Sequence, residues 1–147
     1  MPKITTEWQR FEELPADVLY EVLRFRQSIF VVEQRSPYPD LDGFDRMAWH
    51  LLARVEGALA GHLRLIPAPL RIGRVAVAAR LRRHGLGRRL MEAALLFCRE
   101  NYPGLQVMLT AQAHLVPFYR GFGFAPTGEP FDDFGLTHVD MELRPRD

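Results

Sequence analysis

The chain has 147 residues, of which 48% are hydrophobic and 25% are charged, so its composition excludes a disordered or collagen-like protein. Nineteen basic residues against eighteen acidic ones leave a net charge of +1, which is unlike that of a general nucleic-acid binder. With one cysteine and no apolar run near the ~20 residues of a membrane span, we expect neither a disulfide framework nor a membrane segment. The length predicts one domain over residues 1–147. The lone cysteine and the polar amino terminus predict a cytoplasmic protein.

The first half of the chain predicts a strand, a helix, a loop and a β-hairpin. Residues 4–11 alternate loosely between polar and apolar and predict a strand, and the apolar spacing of residues 16–31 predicts a helix. Two prolines and a glycine make residues 34–45 a loop. Residues 47–55 and 58–66 are apolar, strand-like runs separated by a two-residue turn, which predicts a hairpin.

The second half predicts three more strands and two helices. Residues 72–78, 105–111 and 135–143 are short apolar runs typical of strands, and residues 114–124 predict a short helix that ends in a glycine-rich turn. A longer helix between the first two of these strands is indicated by apolar residues at helical spacing. These residues are Leu86, Leu90, Met91, Ala94, Leu95 and Cys98. Strands that alternate with helices predict a sheet protein of the α/β or α+β class.

The segment RRHGLGRR, residues 82–89, holds four arginines, two glycines and no acid. It lies between a predicted strand and a predicted helix, where free backbone N–H groups and flexible glycines can form a cradle for a phosphate. A solvated basic turn would carry the same charge. A Rossmann dinucleotide site fits poorly because the third glycine is missing, and the Walker A sequence is absent.

Residues 75–95, VAVAARLRRHGLGRRLMEAAL, resemble the acetyl-CoA motif of the GNAT N-acetyltransferases, in which a strand, R/Q-x-x-G-x-G/A and a helix follow one another. Residues 114–124, HLVPFYRGFGF, resemble the second motif of that family. Residues 25–45 and 134–143 extend the resemblance over nearly the whole chain, to the ElaA-like branch. The resemblance implies a mixed, mostly antiparallel central sheet flanked by helices, with central strands that splay apart beside Val77.

The resemblance also implies that acetyl-CoA is the cosubstrate. We expect no metal, because the sequence has no spacing of histidines, cysteines and carboxylates typical of a metal site. The pantetheine arm is expected along the backbone of the strand before the glycine turn, and the pyrophosphate on the N–H groups of the turn, assisted by arginine side chains. Gln112 stands where many members of the family have asparagine. The expected cofactor-binding residues are Val75, Ala76, Val77, Arg82, Arg83, His84, Gly85, Leu86, Gly87, Arg88 and Gln112.

Two catalytic residues follow from the resemblance. Tyr119 matches the tyrosine that protonates the departing thiolate in many members. The alternative is that Tyr119 is only an aromatic residue of the core. Glu33 falls on the acceptor side of the family's cleft and is the expected base, although a surface acid at a helix end would look the same. Cys98 lies on the apolar face of a predicted helix, so we expect direct attack in a ternary complex rather than an acetyl-cysteine intermediate.

The acceptor implied by the resemblance is a primary amine of a small molecule or a peptide. The acids Asp40, Asp42 and Asp45 hint at a cationic acceptor, and they lack the glycine and glutamate that would complete a calcium loop. Two other functions stay open, namely an idle GNAT-fold module that binds CoA as a sensor or scaffold, and a nucleic-acid-binding domain that uses the arginine-rich turn. The absence of aromatics between those arginines argues against the second. We expect a monomer or homodimer with no nucleic-acid or membrane partner.

Overall fold

The computed structural model describes residues 3–145, which form an eight-stranded sheet with helices on both of its faces. The strands are β1 (Ile4–Arg10), β2 (Trp49–Val55), β3 (Ala58–Ile66), β4 (Arg71–Val77), β5 (Val107–Gln112), β6 (Ala125–Pro126), β7 (Phe131–Asp133) and β8 (Leu136–Leu143). The helices are α1 (Ala16–Gln27), α2 (Leu86–Asn101) and α3 (Val116–Arg120). A π-helical segment, Ser28–Glu33, continues α1.

The sheet has the strand order β1-β2-β3-β4-β5-β8-β6, and β7 also pairs with β8. Neighbouring strands are antiparallel except β4 and β5, which run parallel and pair only at Arg71 and Met108. Beyond that point the two central strands separate. The predicted fold, a mixed and mostly antiparallel sheet with splayed central strands, is therefore confirmed.

A β-bulge in β4 accompanies this separation. His62 of β3 pairs with Ala76, and Arg64 pairs with Gly73. Two residues of β4 therefore lie opposite one residue of β3, and one of the two, Arg74, has a left-handed φ of 52°. Bulges bend the strand that carries them, so this one favours the divergence of β4 from β5.

Side chains alternate between two cores because successive strand residues point to opposite faces. On β2, Leu51 belongs to the large core under α2, whereas Leu52 belongs to a smaller core under α1 that includes Val22. The predicted apolar face of α2 is buried throughout, including Cys98. Burial raises the pKa of the Cys98 thiol to about 11, so the thiol stays protonated at neutral pH.

Among residues 3–145, no helix has both the length and the apolar character that crossing a bilayer requires. The same residues contain no cluster of three or more His, Cys, Asp or Glu side chains that could hold a metal ion.

Candidate active site

The amino terminus of α2 presents a row of free backbone N–H groups. Gly85 caps the helix with a left-handed φ of 82°, and Arg83 is also left-handed, with φ of 67°. Within the described part of the chain, the N–H groups from Arg83 to Arg88 have neither a backbone acceptor nor a side-chain cap. Such a row, at the positive end of a helix dipole, is an anion-binding cradle.

The two glycines of the turn have different structural roles. Gly85 is favoured by its left-handed φ of 82°, which side chains rarely adopt, and not by a lack of space, since nothing lies within 4 Å of the position where a Cβ would stand. A Cβ on Gly87 would lie 3.6 Å from Cζ of Phe118 and 3.9 Å from Cγ2 of Val77, which is ordinary van der Waals contact. Gly87 therefore lies close to α3 and to the end of β4, and without a side chain it leaves the backbone open to an approaching ligand.

The arginines of the turn divide into occupied and free side chains. Arg82 Nε donates to the carbonyl of Val77 at 3.1 Å, and its Nη1 and Nη2 lie 2.5 and 3.0 Å from the carboxylate oxygens of Glu33. Arg82 therefore braces the turn, and its expected contact with the pyrophosphate stays a prediction. Arg88 lies 3.8 Å from Glu92, whereas no carboxylate of residues 3–145 pairs with Arg83.

The position of Glu33 does not favour its expected role as a base. Its carboxylate accepts two hydrogen bonds from Arg82, and the residue lies outside the wall of the cavity described below. A carboxylate held in this way can take a proton only after the ion pair opens. The catalytic role of Glu33 stays a prediction. What the structure shows is that Glu33 connects the π-helical segment to the glycine turn through Arg82.

A cavity of about 550 Å³ opens where β4 and β5 separate. Thr110 and Gln112 of its wall alternate with the core residues of β5 and point away from α2, whereas Ile72, Leu109 and Tyr119 of its wall belong to the core under α2. The cavity is therefore lined from both faces of the sheet. Val75, Gln112 and Tyr119 all line it. The structure thus brings together three of the predicted site residues from β4, β5 and α3. The cradle is near α3 because Phe118, the neighbour of Tyr119, lies 3.6 Å from the Cβ position of Gly87.

Tyr119 is buried against aromatic neighbours, with 6% of its surface exposed. Its ring meets those of Phe118 and Phe124 edge-on, with centroids 5.1 and 6.3 Å away. Burial raises the pKa of the Tyr119 phenol to about 12. The phenol is therefore protonated at neutral pH. Its hydroxyl makes no hydrogen bond to residues 3–145, so its proton is available to a ligand in the cavity.

The acids of the loop before β2 are paired inside the protein. Arg26, which is completely buried, donates from Nη1 and Nη2 to the carboxylate of Asp45 at 2.6 and 3.2 Å and from Nε to Asp40 at 3.1 Å. Arg64 contributes a second contact to Asp45, at 3.1 Å. Sequence reasoning missed these pairs because the partners lie 14 and 19 residues apart on different elements.

Asp42 joins the same set of ion pairs at the cavity wall. It lies 2.5 Å from Arg64 and 3.0 Å from Arg74, and Arg74 also reaches Asp40 at 2.8 Å and donates to Tyr38 Oη at 2.6 Å. We call Arg26, Arg64, Arg74, Asp40, Asp42 and Asp45 the Arg–Asp network. Its carboxylates are matched by guanidinium groups, so the expectation that these acids attract a cationic acceptor is not supported.

The network makes the protein sensitive to acid. Burial alone would raise the pKa of Asp42, but the hydrogen bond and charge of Arg64 and the charge of Arg74 lower it from 3.8 to about 2. Ionised Asp42 therefore stabilises the fold above about pH 4, and this contribution is lost as the pH falls towards about 2.

In urea titrations we expect Asp42→Asn to be less stable than the parent at pH 6 and to lose less stability between pH 4 and pH 2. Asp17→Asn, at an exposed acid of α1, is the control. Equal losses of unfolding free energy in the parent and Asp42→Asn between pH 4 and pH 2, or the same effect in the control, would contradict this prediction.

Two buried histidines beside the network are neutral. Nε2 of His50 lies 2.9 Å from the carbonyl of Asp45, so it carries the hydrogen, and Nδ1 of His50 then accepts from Nε2 of His62 at 3.1 Å. Burial lowers the pKa of both imidazoles. Both side chains are buried in the core, which indicates a structural role.

Comparisons with known proteins agree with this geometry. Residues 31–145 match the family model of the acetyltransferase (GNAT) domain. A UPF0039 protein of Synechocystis sp. is 38% identical over 97% of this chain and 96% of its own length. ElaA of Escherichia coli K12 is 38% identical over 92% of this chain and 94% of its own length.

Two solved structures share the fold over almost their whole length. The crystal structure of Escherichia coli ElaA superposes with a TM-score of 0.92 at 36% identity, over 97% of this chain and 100% of that one. An acyl-CoA N-acyltransferase from Pseudomonas aeruginosa gives a TM-score of 0.91 at 34% identity, over 96% and 99% of the two chains. The chain therefore belongs to the GNAT acetyltransferase family, in its ElaA-like branch.

Proposed function

We propose that the protein transfers an acetyl group from acetyl-CoA to a primary amine of a small molecule or peptide. The observation that carries this proposal is the row of free N–H groups from Arg83 to Arg88, which lies beside the gap between β4 and β5. An anion cradle next to an open strand edge suits a ligand that has a pyrophosphate and an amide-bearing arm. A buried phenol on the wall of the adjoining cavity supplies a proton donor.

The binding roles follow from these positions. The backbone of Val75, Ala76 and Val77 pairs with the pantetheine arm, because β4 has no partner on its β5 side beyond Arg71. The pyrophosphate rests on the N–H groups of the turn, and the Arg83 side chain adds charge. Gln112 presents its amide at the cavity wall.

The reaction is a direct displacement. The amine nitrogen, in its neutral form, attacks the thioester carbonyl carbon, so that a C–N bond forms and the C–S bond breaks. Tyr119 gives its proton to the departing sulfur, and the attacking nitrogen loses a proton to water. The phenol is then reprotonated from solvent, so protons and charges balance. Cys98 takes no part, since its protonated thiol is buried under α2.

Tyr119→Phe tests the proton donor. We expect kcat to fall about 100-fold, as for the loss of a general acid, while the Kd for CoA changes less than about twofold. Because the pKa of Tyr119 is raised to about 12, the parent enzyme should show no loss of kcat through this group up to about pH 10. Steady-state kinetics and calorimetry check both statements. Tyr20→Phe, at an exposed tyrosine of α1, is the matched control, and an unchanged kcat in Tyr119→Phe would remove the role.

Glu33→Gln tests the contact between Glu33 and Arg82. Since this carboxylate braces Arg82, we expect the variant to raise the KM for acetyl-CoA about threefold to tenfold, as for the loss of one charged hydrogen bond partly exposed to water. The pH dependence of kcat should keep its shape. A variant whose kcat loses its acidic limb, with unchanged KM, would instead identify Glu33 as the base.

A turnover screen decides between the proposed reaction and an idle module. It follows CoA thiol release from acetyl-CoA over a panel of amines, amino acids, polyamines and peptides. Turnover with any of these acceptors supports the proposal. CoA binding without thiol release would instead favour a sensor or scaffold, and the absence of CoA binding in the micromolar range would overturn both.

A further inference from the structure

Arg71 is a cation on the cavity wall, and it has no acidic partner in the part of the chain that the structure describes. It lies at the first residue of β4, where β4 and β5 make their single pair, and its side chain lines the cavity. Its Nε is shielded from solvent and has no hydrogen-bond partner. Within residues 3–145, none of its side-chain nitrogens makes an ion pair or a hydrogen bond. A shielded charged donor left in this state is costly, and a ligand acceptor would remove that cost.

The other arginines on the cavity wall are already matched. Arg64 contacts Asp42 at 2.5 Å and Asp45 at 3.1 Å, and Arg74 contacts Asp40 at 2.8 Å and Asp42 at 3.0 Å. Their Nε atoms also lack ideal hydrogen bonds, but each guanidinium has carboxylates within 3.1 Å. The cavity therefore carries one uncompensated guanidinium, and it belongs to Arg71.

The ring of Phe44 holds this guanidinium in place. The Cζ atom of Arg71 lies 5.2 Å from the centre of that ring, within the range of a cation–π contact. Phe44 belongs to the segment that carries the three aspartates of the Arg–Asp network, and it also lines the cavity. The guanidinium is thus supported by an aromatic face that satisfies none of its N–H groups, so its donors remain available to an anion.

Acids line the opposite side of the same cavity. Asp133 of β7 and Asp140 of β8 are on the wall, and Asp140 accepts a hydrogen bond from Thr110 at 2.6 Å. β4 and β5 pair only at Arg71 and Met108, and Asp140 of β8 pairs with Thr110, two residues farther along β5, so these acids lie across the gap from β4. The cavity thus has a free cation on one side and acids on the other, a polarity that suits a ligand carrying both charges.

We propose that the acetyl acceptor is an amine that also carries a carboxylate, of the size of a free amino acid, and that Arg71 binds the carboxylate. The acids of β7 and β8 favour the entry of the amine as its ammonium form, and the amine end then lies on the side of Gln112 and Tyr119. This inference rests on the proposed acetyl transfer and narrows its substrate class.

The test compares acceptors in matched pairs with and without the carboxylate. The pairs are lysine with cadaverine, phenylalanine with phenethylamine, histidine with histamine, and 6-aminohexanoate with hexylamine. We expect kcat/KM to favour the carboxylate member of the preferred pair by about 10-fold to 100-fold, the range for one charge-assisted contact. Equal kcat/KM values within every pair, or preference for the amines, would overturn the proposal. A peptide accepted better than any free amino acid, at a rate unaffected by Arg71→Gln, would also overturn it.

Arg71→Gln assigns the preference to this side chain. This variant should reduce the preference for the carboxylate member to less than about threefold, whereas Arg71→Lys should keep part of the preference. The affinity of both variants for CoA should stay unchanged, which would show that the site is still folded. Arg99→Gln, at an exposed arginine of α2 outside the cavity wall, is the matched control. A preference that survives Arg71→Gln would overturn the assignment.

Failure of the proposed acetyl transfer is separable from failure of this inference. If no amine is acetylated, calorimetry of the same pairs with the CoA-bound protein replaces kinetics. Binding of the carboxylate member that Arg71→Gln weakens by about 10-fold or more supports the carboxylate site without turnover. Equal or absent binding of both members overturns it.

Discussion

Gly85→Glu should lower the affinity for CoA by about 100-fold or more. The substitution places a carboxylate at the cap of α2, next to the N–H row that is proposed to hold the pyrophosphate, and it forces a φ of 82° on a side chain that rarely adopts it. Losing two charge-assisted hydrogen bonds alone accounts for a change of this size. Isothermal calorimetry with CoA at near-physiological salt measures the effect.

Two companion variants separate charge from backbone strain. Gly85→Asn keeps a residue that tolerates the left-handed region and should bind CoA within about tenfold of the parent. Gly104→Glu adds the same charge and strain at an exposed glycine with φ of 77°, at the far end of α2, and should leave CoA affinity unchanged. Full affinity in Gly85→Glu would contradict the phosphate cradle.

Arg26→Gln should cost about 3–5 kcal/mol of the free energy of unfolding, the usual loss when one partner of a buried ion pair is removed. Arg26 is completely buried and meets Asp40 and Asp45, so its removal leaves two carboxylates short of a guanidinium. A loss of this size is a large fraction of a typical stability of about 5–15 kcal/mol. Urea unfolding followed by circular dichroism at pH 7 measures it.

The ion pair of Arg54 and Glu21 is the matched control for Arg26. It is also bidentate, with Nη1 and Nη2 at 3.1 and 2.7 Å from the two oxygens, but its side chains are 23% and 40% exposed. Exposed pairs contribute at most about 1 kcal/mol, so Arg54→Gln should have a small effect. Similar losses in the two variants would show that burial does not set the value of the Arg26 pair.

Long periodic elements were predictable from the sequence, and short ones were not. The apolar spacing from Leu86 to Cys98 identified α2, and the hairpin of β2 and β3 followed from two apolar runs. The predicted helix over residues 16–31 is α-helical only to Gln27 and continues as a π-helical segment. The spacing of apolar residues did not distinguish an α-helix from a π-helix. β6 and β7 have two and three residues, too few to show alternation.

The candidate site was predictable where it depends on local sequence. The cradle at α2 and the position of Tyr119 follow from glycine spacing and from a short motif, and the structure brings Tyr119, Gln112 and Val75 to one cavity. Arg82 and Glu33 were assigned separate roles, although they pair across 49 residues. The Arg–Asp network and Arg71 were missed for the same reason, because they depend on side chains from different elements and leave no local pattern.

The choice of arginine beside the cavity has a chemical consequence. Arg64, Arg71 and Arg74 line the wall, and the chain has eighteen arginines but only one lysine, Lys3. A guanidinium keeps its proton at any physiological pH and has no lone pair to offer, whereas a lysine amine in a desolvated site can become neutral and nucleophilic. The protein can therefore hold positive charge close to an activated acyl group without acylation of the side chains that line the cavity.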